Sequence, residues 1–353
     1  MFALNTDGLD FTNLHSFTAI SAPYYQGGTN SDGANPVAGL ILSGSITLYG
    51  TAEYGGTNGN GTVFALNING SDFTNLYNFA AYPAGQYTNS DGANPGGLVS
   101  SGNTLFGTAS DGGAGENGSV FALNTGGTGF TNLYSFTAGV FGNSGGANPF
   151  VGLPLSDNTL YGTTHSGGTN DGGTGFAVTT NGTGFTNLHN FTGSGDGDNP
   201  YAGLIVSGNT LFGTAGNGGT NGDGTLFAVT TNGTDFTTLH TFTNNPDGDS
   251  PHAVLLLSGN TLYGTAEGGG THGNGMVFSL SLPTPQLTII LSGSNAIVTW
   301  PTNVLEFTLQ SSTNLVPPTV WTTVFQPPYA VIGINNVVTN TISGTNQFYR
   351  LSL

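Results

Sequence analysis

Residues 202–242 read AGLIVSGNTLFGTAGNGGTNGDGTLFAVTTNGTDFTTLHTF, and the same order of four apolar segments recurs along the chain. The string LYGT or LFGT begins at Leu48, Leu105, Leu160, Leu211 and Leu262, at spacings of 57, 55, 51 and 51 residues. Each unit carries four strand signals, of the form AGLILSG, NTLYGTA, GTVFALN and DFTNLHSF. Their apolar residues alternate or run continuously, and Gly, Asn, Asp or Ser bounds every one. Ser207-Gly208-Asn209 predicts a tight hairpin between the first two strands. Asn69-Gly70, Asn181-Gly182 and Asn232-Gly233 predict turns between the third and fourth. No segment shows a helical apolar period, and 61 glycines would undermine one. A period near fifty residues with four short strands per period is the sequence pattern of propeller blades. The expectation is an all-β fold: a β-propeller of five four-stranded blades, with a partial sixth left open.

We label the strands of a unit A to D. Residues 1–17 supply only C and D, four complete units follow, and residues 253–282 supply A, B and C. The total is 21 strands, one more than five four-stranded blades use. Closure is expected if Phe11 to Phe17 completes the last blade. The surplus strand is then either Phe2, Ala3, Leu4 and Asn5 or the segment Phe278–Leu282, and an unpaired edge templates pairing with another chain. A shortened N-terminus is the competing reading of the same count. In D the spacing of Phe73, Leu76 and Phe79, or Phe185, Leu188 and Phe191, predicts side chains filling the space between neighbouring sheets.

The pattern stops at Pro283-Thr284-Pro285, which divides a repeat region, 1–282, from a tail, 283–353. The tail segments QLTIILSG, AIVTWP, FTLQSSTNL, WTTV, NVVTNTI and QFYRLSL predict a small β-sandwich of immunoglobulin or fibronectin type. Its core is small enough that docking onto the repeats is expected.

These units resemble the GloVer tandem repeats of secreted and surface bacterial proteins. The matching strings are DGANPVAGL at Asp32–Leu40, DGANPGGL at Asp91–Leu98, GNTLFGTA at Gly102–Ala109 and Gly208–Ala215, and NGTVFALN at Asn60–Asn67. The tail resembles the sandwich domain that follows such repeats, through FTLQSSTNL and QFYRLS. The resemblance implies an extracellular or cell-surface propeller and supplies no catalytic residue. This chain departs from it in showing no signal peptide and no sorting helix.

The formal charge is −17, with Arg350 the single basic residue apart from histidine. Nucleic acid and anionic membrane are therefore excluded as partners on electrostatic grounds, and no membrane insertion is expected. Only 5% of residues are charged, so solubility rests on neutral hydrogen-bonding groups. Zero Cys excludes a disulfide framework and thiolate metal sites.

Four constellations are candidates for chemistry. Asp196 with Asp198, and Asp247 with Asp249, offer hard oxygen ligands for calcium in GDGDNP and PDGDSP; the competing reading is side-chain turns with Pro opening the next strand. Apart from calcium, no cofactor is expected. The loops APYYQGGTN and AYPAGQYTN bring Tyr24, Tyr25, Tyr82 and Tyr87 to one face as a contact surface for sugars or protein, against the alternative that they pack on their own loop. Glu53, Ser110, His165, Gly216 and Glu267 follow the GTA or GTT of each unit, and Glu53, His165 and Glu267 are the members able to act in catalysis. Drift in a loop explains their variation as well. His15, His189 and His240 share a position with Tyr77 and Tyr134, which points to flat-ring packing rather than a metal. The sequons at Asn60, Asn69, Asn117, Asn181 and Asn232 coincide with turns.

Three functions follow in order. The first is a non-enzymatic extracellular structural or adhesive protein that associates with copies of itself into a layer, matrix or fibre. The second is a lectin-like propeller binding extracellular glycans. The third is a polysaccharide-acting enzyme.

Overall fold

The computed structural model describes residues 1–23, 27–137, 145–301, 307–324, 330–332, 335–341 and 346–352. Among these the regular elements are all β-strands. The complete repeats form four antiparallel sheets, each paired in the order A-B-C-D. Sheet I is Ile41–Ser43, Thr47–Ala52, Thr62–Asn67 and Thr74–Asn78. Sheet II is Ala93–Ser101, Thr104–Asp111, Ser119–Asn124 and Thr131–Ser135; sheet III is Leu155–Ser156, Thr159–Thr164, Thr174–Thr179 and Thr186–Asn190. Sheet IV is Ile205–Ser207, Thr210–Ala215, Thr225–Thr230 and Phe236–Thr241. These are the four-stranded meanders of propeller blades.

The Gly of LYGT is explained by the Phe of strand C. A Cβ on Gly162 would stand 2.5 Å from Cζ of Phe176, and one on Gly50 would stand 2.6 Å from Cζ of Phe64. The ring lies across the glycine, so only hydrogen fits there. Phe64, Phe121, Phe176 and Phe227 are all buried in this way.

Neighbouring sheets meet through two different faces. The trailing side of sheet I presents Tyr49, Val63, Ala65 and Phe79, at the end of its strand D, which pack with Leu98, Leu105, Phe121 and Leu123 of the next unit. The same junction recurs with Phe106, Val120, Ala122 and Phe136 against Leu153, Leu160, Phe176 and Val178. Burying each large side chain contributes about 1.5–3 kcal/mol, enough for a repeat array with few ion pairs.

The two ends of the repeat region differ from the expected closure. Phe2–Ala3 and Thr12–Asn13 pair with each other as a two-stranded sheet, with Phe2 opposite Asn13 and Ala3 opposite Thr12. The last repeat sheet, V, has three strands, Leu256–Ser258, Thr261–Ala266 and Met276–Ser281, and the last lies at its edge. So Phe11–Phe17 does not complete the last sheet in this structure. Its strand edge is taken by Phe2–Ala3 instead, and Leu14, Ala3 and Phe17 pack against Ala52, Phe64 and Leu66 of sheet I.

In the tail, Thr288–Ser292, Asn295–Pro301, Asn335–Thr341 and Ala330–Ile332 form one antiparallel sheet in that order. Thr322–Thr323, Thr308–Ser312 and Phe348–Ser352 form another. Val298, Trp300, Leu309 and Val338 make the buried core of this region. Arg350 lies 4.5 Å over the Trp321 ring. Contacts divide the chain into two compact units: 1–206, 212–255 and 264–278 form one, and 207–211, 256–263 and 279–353 form the other.

Candidate functional site

The flat ring near the end of a D strand has two kinds of partner, and His15, Tyr77 and His189 have both. It stacks on the Phe that opens the next D strand: His15 on Phe73 at 3.8 Å, Tyr77 on Phe130 at 4.2 Å, Tyr134 on Phe185 and His189 on Phe236 at 3.7 Å. Its polar atom meets a loop carboxylate. His15 Nε2 is 3.0 Å from Asp32, Tyr77 donates to Asp91 at 2.6 Å, His189 is 3.0 Å from Asp196 and His240 is 2.8 Å from Asp247. The same carboxylates accept backbone N–H groups from Thr18, Ala80, Thr192 and Thr243. The packing position expected from sequence is present, and the Asp partner is an addition the sequence reading missed.

This arrangement bears on the calcium candidates. Oxygens of Asp196 and Asp247 are engaged by His189, Thr192, His240 and Thr243, including the short Thr192 and Thr243 hydroxyl bonds. Asp249 accepts from Asn244 Nδ2 at 2.7 Å, and Asp198 has one buried carboxylate oxygen without a partner among the described residues. Burial, then the charge of Asp196, pushes the Asp198 carboxyl up. Among the described residues no group of three or more His, Asp or Glu side chains is placed to hold a metal ion.

Burial lowers the His189 pKa, against the opposing pull of Asp196, and burial followed by His252 lowers that of His165. A base whose folded pKa is depressed supports the fold above its unfolded value. That support is lost as pH falls through the folded value. Stability is therefore expected to fall as pH drops below the ordinary imidazole value near ~6.5. His189→Tyr keeps a ring and a donor, as at Tyr77, but does not titrate there. Thermal melts across pH should show a flatter profile for this variant, and an unchanged slope would contradict the assignment.

Tyr24 and Tyr25 lie outside the described residues. Tyr82 is half-buried, its phenol pushed up to about 12 by burial and then by Asp111 and Asp91. Its ring stands 6.3 Å from that of Tyr87, which is exposed.

The five positions after GTA or GTT have different partners. Glu53 accepts from Asn35 Nδ2 at 3.0 Å, and Ser110 Oγ donates to the Asn94 carbonyl at 3.4 Å. His165 and Glu267, however, join a second series, the residues that follow Pro in successive loops. Phe150, Tyr201 and His252 occupy that position in three consecutive units. Ring centroids are 5.6 Å apart for Phe150 and Tyr201, 4.1 Å for His165 and Tyr201, and 4.9 Å for Tyr201 and His252. Glu267 holds His252 Nδ1 at 2.9 Å. Gly216 leaves room for this imidazole, since a Cβ there would stand 2.4 Å from His252 Nε2. Sequence spacing hid this strip because its members come from loops about one repeat apart.

The ends of the array expose what every internal junction covers. Val277 is 73% exposed, where its equivalents Val63 and Val120 are 0%. Tyr263 is 41% exposed, where Tyr49 is 8% and Tyr161 is 7%. At the other end Phe2 is 65% and Phe11 67% exposed, and Leu4 is exposed as well; Phe64 and Leu66, equivalent to Phe2 and Leu4, are buried. Met1, Phe2, Phe11, Phe17 and Pro36 line an open groove there. Asn5 is tied to Asp10 by its side-chain amide at 2.9 Å.

A family model described as the Gloeobacter/Verrucomicrobia repeat matches residues 139–313. No curated protein is significantly similar to the chain. Among solved structures, a chain of the nidogen/laminin complex is similar at 16% identity and a TM-score of 0.42, over 66% of this chain and 75% of that one. TolB from Acinetobacter baumannii is similar at 11% identity and a TM-score of 0.41, over 86% of this chain and 56% of that one. The Bacteroides ovatus xyloglucan PUL GH43B is similar at 11% identity and a TM-score of 0.39, over 80% of this chain and 72% of that one.

Proposed function

As a chain of the Gloeobacter/Verrucomicrobia repeat family, this protein is, we propose, a non-enzymatic extracellular structural or adhesive protein that associates with copies of itself. The repeat sheets are read as blades, four complete and two partial, and the two tail sheets as a small sandwich. The observation that carries the reading is the pair of bare faces at the ends of the array. One is of the trailing kind, with Tyr263 and Val277; the other is of the leading kind, with Phe2, Leu4 and Phe11. Inside the chain, faces of these two kinds pack on each other at the junctions of sheets I with II and II with III. Exposed apolar patches of this sort mark interaction sites. Because the two faces differ, their union is head to tail, giving a ring where the rotation closes and an open string where it does not. Sedimentation of the purified chain over a hundredfold concentration range should show mass rising with concentration. A single monomer boundary throughout would sink the reading.

The strip of Phe150, His165, Tyr201 and His252 supports a second reading, glycan binding. Flat rings beside the acceptors of Glu267 suit the apolar face and hydroxyls of a sugar ring. The net negative charge favours neutral sugars over acidic ones. A glycan array comparing the chain with Tyr201→Ala tests it. Binding that ignores Tyr201, or no binding at all, counts against it.

A further inference from the structure

We propose that residues 10–17 of a second copy add to sheet V as its missing fourth strand, alongside Met276–Ser281, displacing that copy's own Phe2–Asn5. The inference deepens the self-association reading above by naming the segment and its seat.

The seat is defined by absences that repeat-equivalent sites fill. In sheets I to IV strand C is paired on both edges, whereas Met276–Ser281 ends its sheet. An unpaired strand edge accepts an added strand. Each D-strand ring upstream lies nearly parallel on the Phe opening the next D strand, at interplanar angles of 5°, 7°, 2° and 10°. His240 comes next in this series. Like the other four it meets the Phe two residues on edge-on, here Phe242, but it has no stacked Phe among the described rings, and sheet V has no D strand to supply one. Phe278 is in the same position: Phe64 stacks on Phe73 at 5.4 Å and Phe227 on Phe236 at 5.4 Å, but Phe278 meets only Phe242 among the described rings.

The occupant is equally specific. DFTNLHSF at Asp10–Phe17 repeats DFTNLYNF at Asp72–Phe79 and GFTNLHNF at Gly184–Phe191. Phe11 is the equivalent of Phe73 and Phe236, and it is exposed. In the structure Phe2 stands where Phe278 would: Phe2 and Phe11 are 5.3 Å apart at 26°, against 5.4 Å and 29° for Phe64 and Phe73. The short Phe2–Ala3 strand is thus a stand-in for strand C of a neighbour, held by two residue pairs. Met276–Ser281 offers six residues and the Phe278 ring.

A second copy is the occupant because within its own chain segment 10–17 pairs with Phe2–Ala3 and not with Met276–Ser281, which ends its sheet, while its other face is committed to sheet I. Leu14 is buried with Phe64 and Leu66, and His15 stacks on Phe73 and meets Asp32. Addition to a neighbour keeps all of these contacts and changes only the partner along the strand edge.

The pairing of Ala65 with Thr74 in sheet I predicts Ser279 opposite Thr12 of the incoming strand. The chain has no Cys, so one can be placed at each position without background. Full-length Thr12→Cys and Ser279→Cys chains, distinguished by a tag, are mixed and oxidised. The expected product is a mixed disulfide dimer, reduced at least roughly tenfold when Phe11→Asp is added, the order of effect of losing a central aromatic anchor. Because Phe11 is exposed, circular dichroism should show that variant folded. An intramolecular disulfide in the double-cysteine chain at every dilution, with no mixed dimer, would mean the chain closes on itself and would overturn the proposal. Assembly by sedimentation without the mixed disulfide would also overturn it, leaving self-association by another surface. Absence of both would remove the two readings together.

Discussion

Phe64→Ala should lower the stability of the chain by about 3–5 kcal/mol, while Phe2→Ala at the equivalent position should stay within about 0.5 kcal/mol. The residue type and repeat position are the same, so the difference isolates what the neighbouring sheet contributes. Phe64 is fully buried, lies over Gly50, touches Leu40 through the same gap, and meets Phe17 and Phe73. Removing the ring leaves a cavity that the stiff β-layers close only in part. Phe2 loses little because water already covers most of it. Repeat arrays need not unfold in one step, so the comparison belongs to denaturant midpoints followed by two probes. Equal losses at both positions would mean the sheets do not stabilise one another as described.

The second large effect is expected at Asp91, buried at the junction between sheets I and II. One of its oxygens accepts from the Tyr77 hydroxyl at 2.6 Å and from the Ala80 N–H at 2.9 Å. Burial, then Asp91 itself, pushes the Tyr77 phenol well above its ordinary range, so it remains a donor at any physiological pH. Asp91→Ala strands both donors, at roughly 1–3 kcal/mol each. Tyr77→Phe removes one donor and leaves the Ala80 bond and the Phe130 stack, so its loss should be smaller. Thermal melts of the two variants decide the order. A milder loss for Asp91→Ala than for Tyr77→Phe would show that the carboxylate is a liability rather than a joint.

The strand order of each repeat could be read from the sequence because Gly, Asn and Ser mark every turn and the apolar residues recur at fixed offsets. The glycine of LYGT could be noticed but not explained, since its reason is the Phe176 or Phe64 ring on the neighbouring strand. The carboxylate joints were hidden by variable spacing. His189 and Asp196 are 7 residues apart, Tyr77 and Asp91 are 14, and His15 and Asp32 are 17. In sequence, Asp196 and Asp247 look like turn residues or calcium ligands, and their actual partners lie back on strand D. The strip of Phe150, Tyr201 and His252 was missed because only folding brings successive loops together. The strand count did flag a surplus, but counting strands could not choose a partner for Phe11–Phe17. That choice is local: Leu14 and His15 hold the segment to sheet I, and its edge pairs with whichever C strand is nearest.

Cryo-electron microscopy of the full chain across concentrations tests most directly whether each copy finishes the sheet its neighbour leaves incomplete. The account predicts head-to-tail strings in which density for Phe11–Phe17 of one copy runs beside Met276–Ser281 of the next. Separate closed particles at every concentration, each with its own Phe11–Phe17 beside its own last strand, would contradict it.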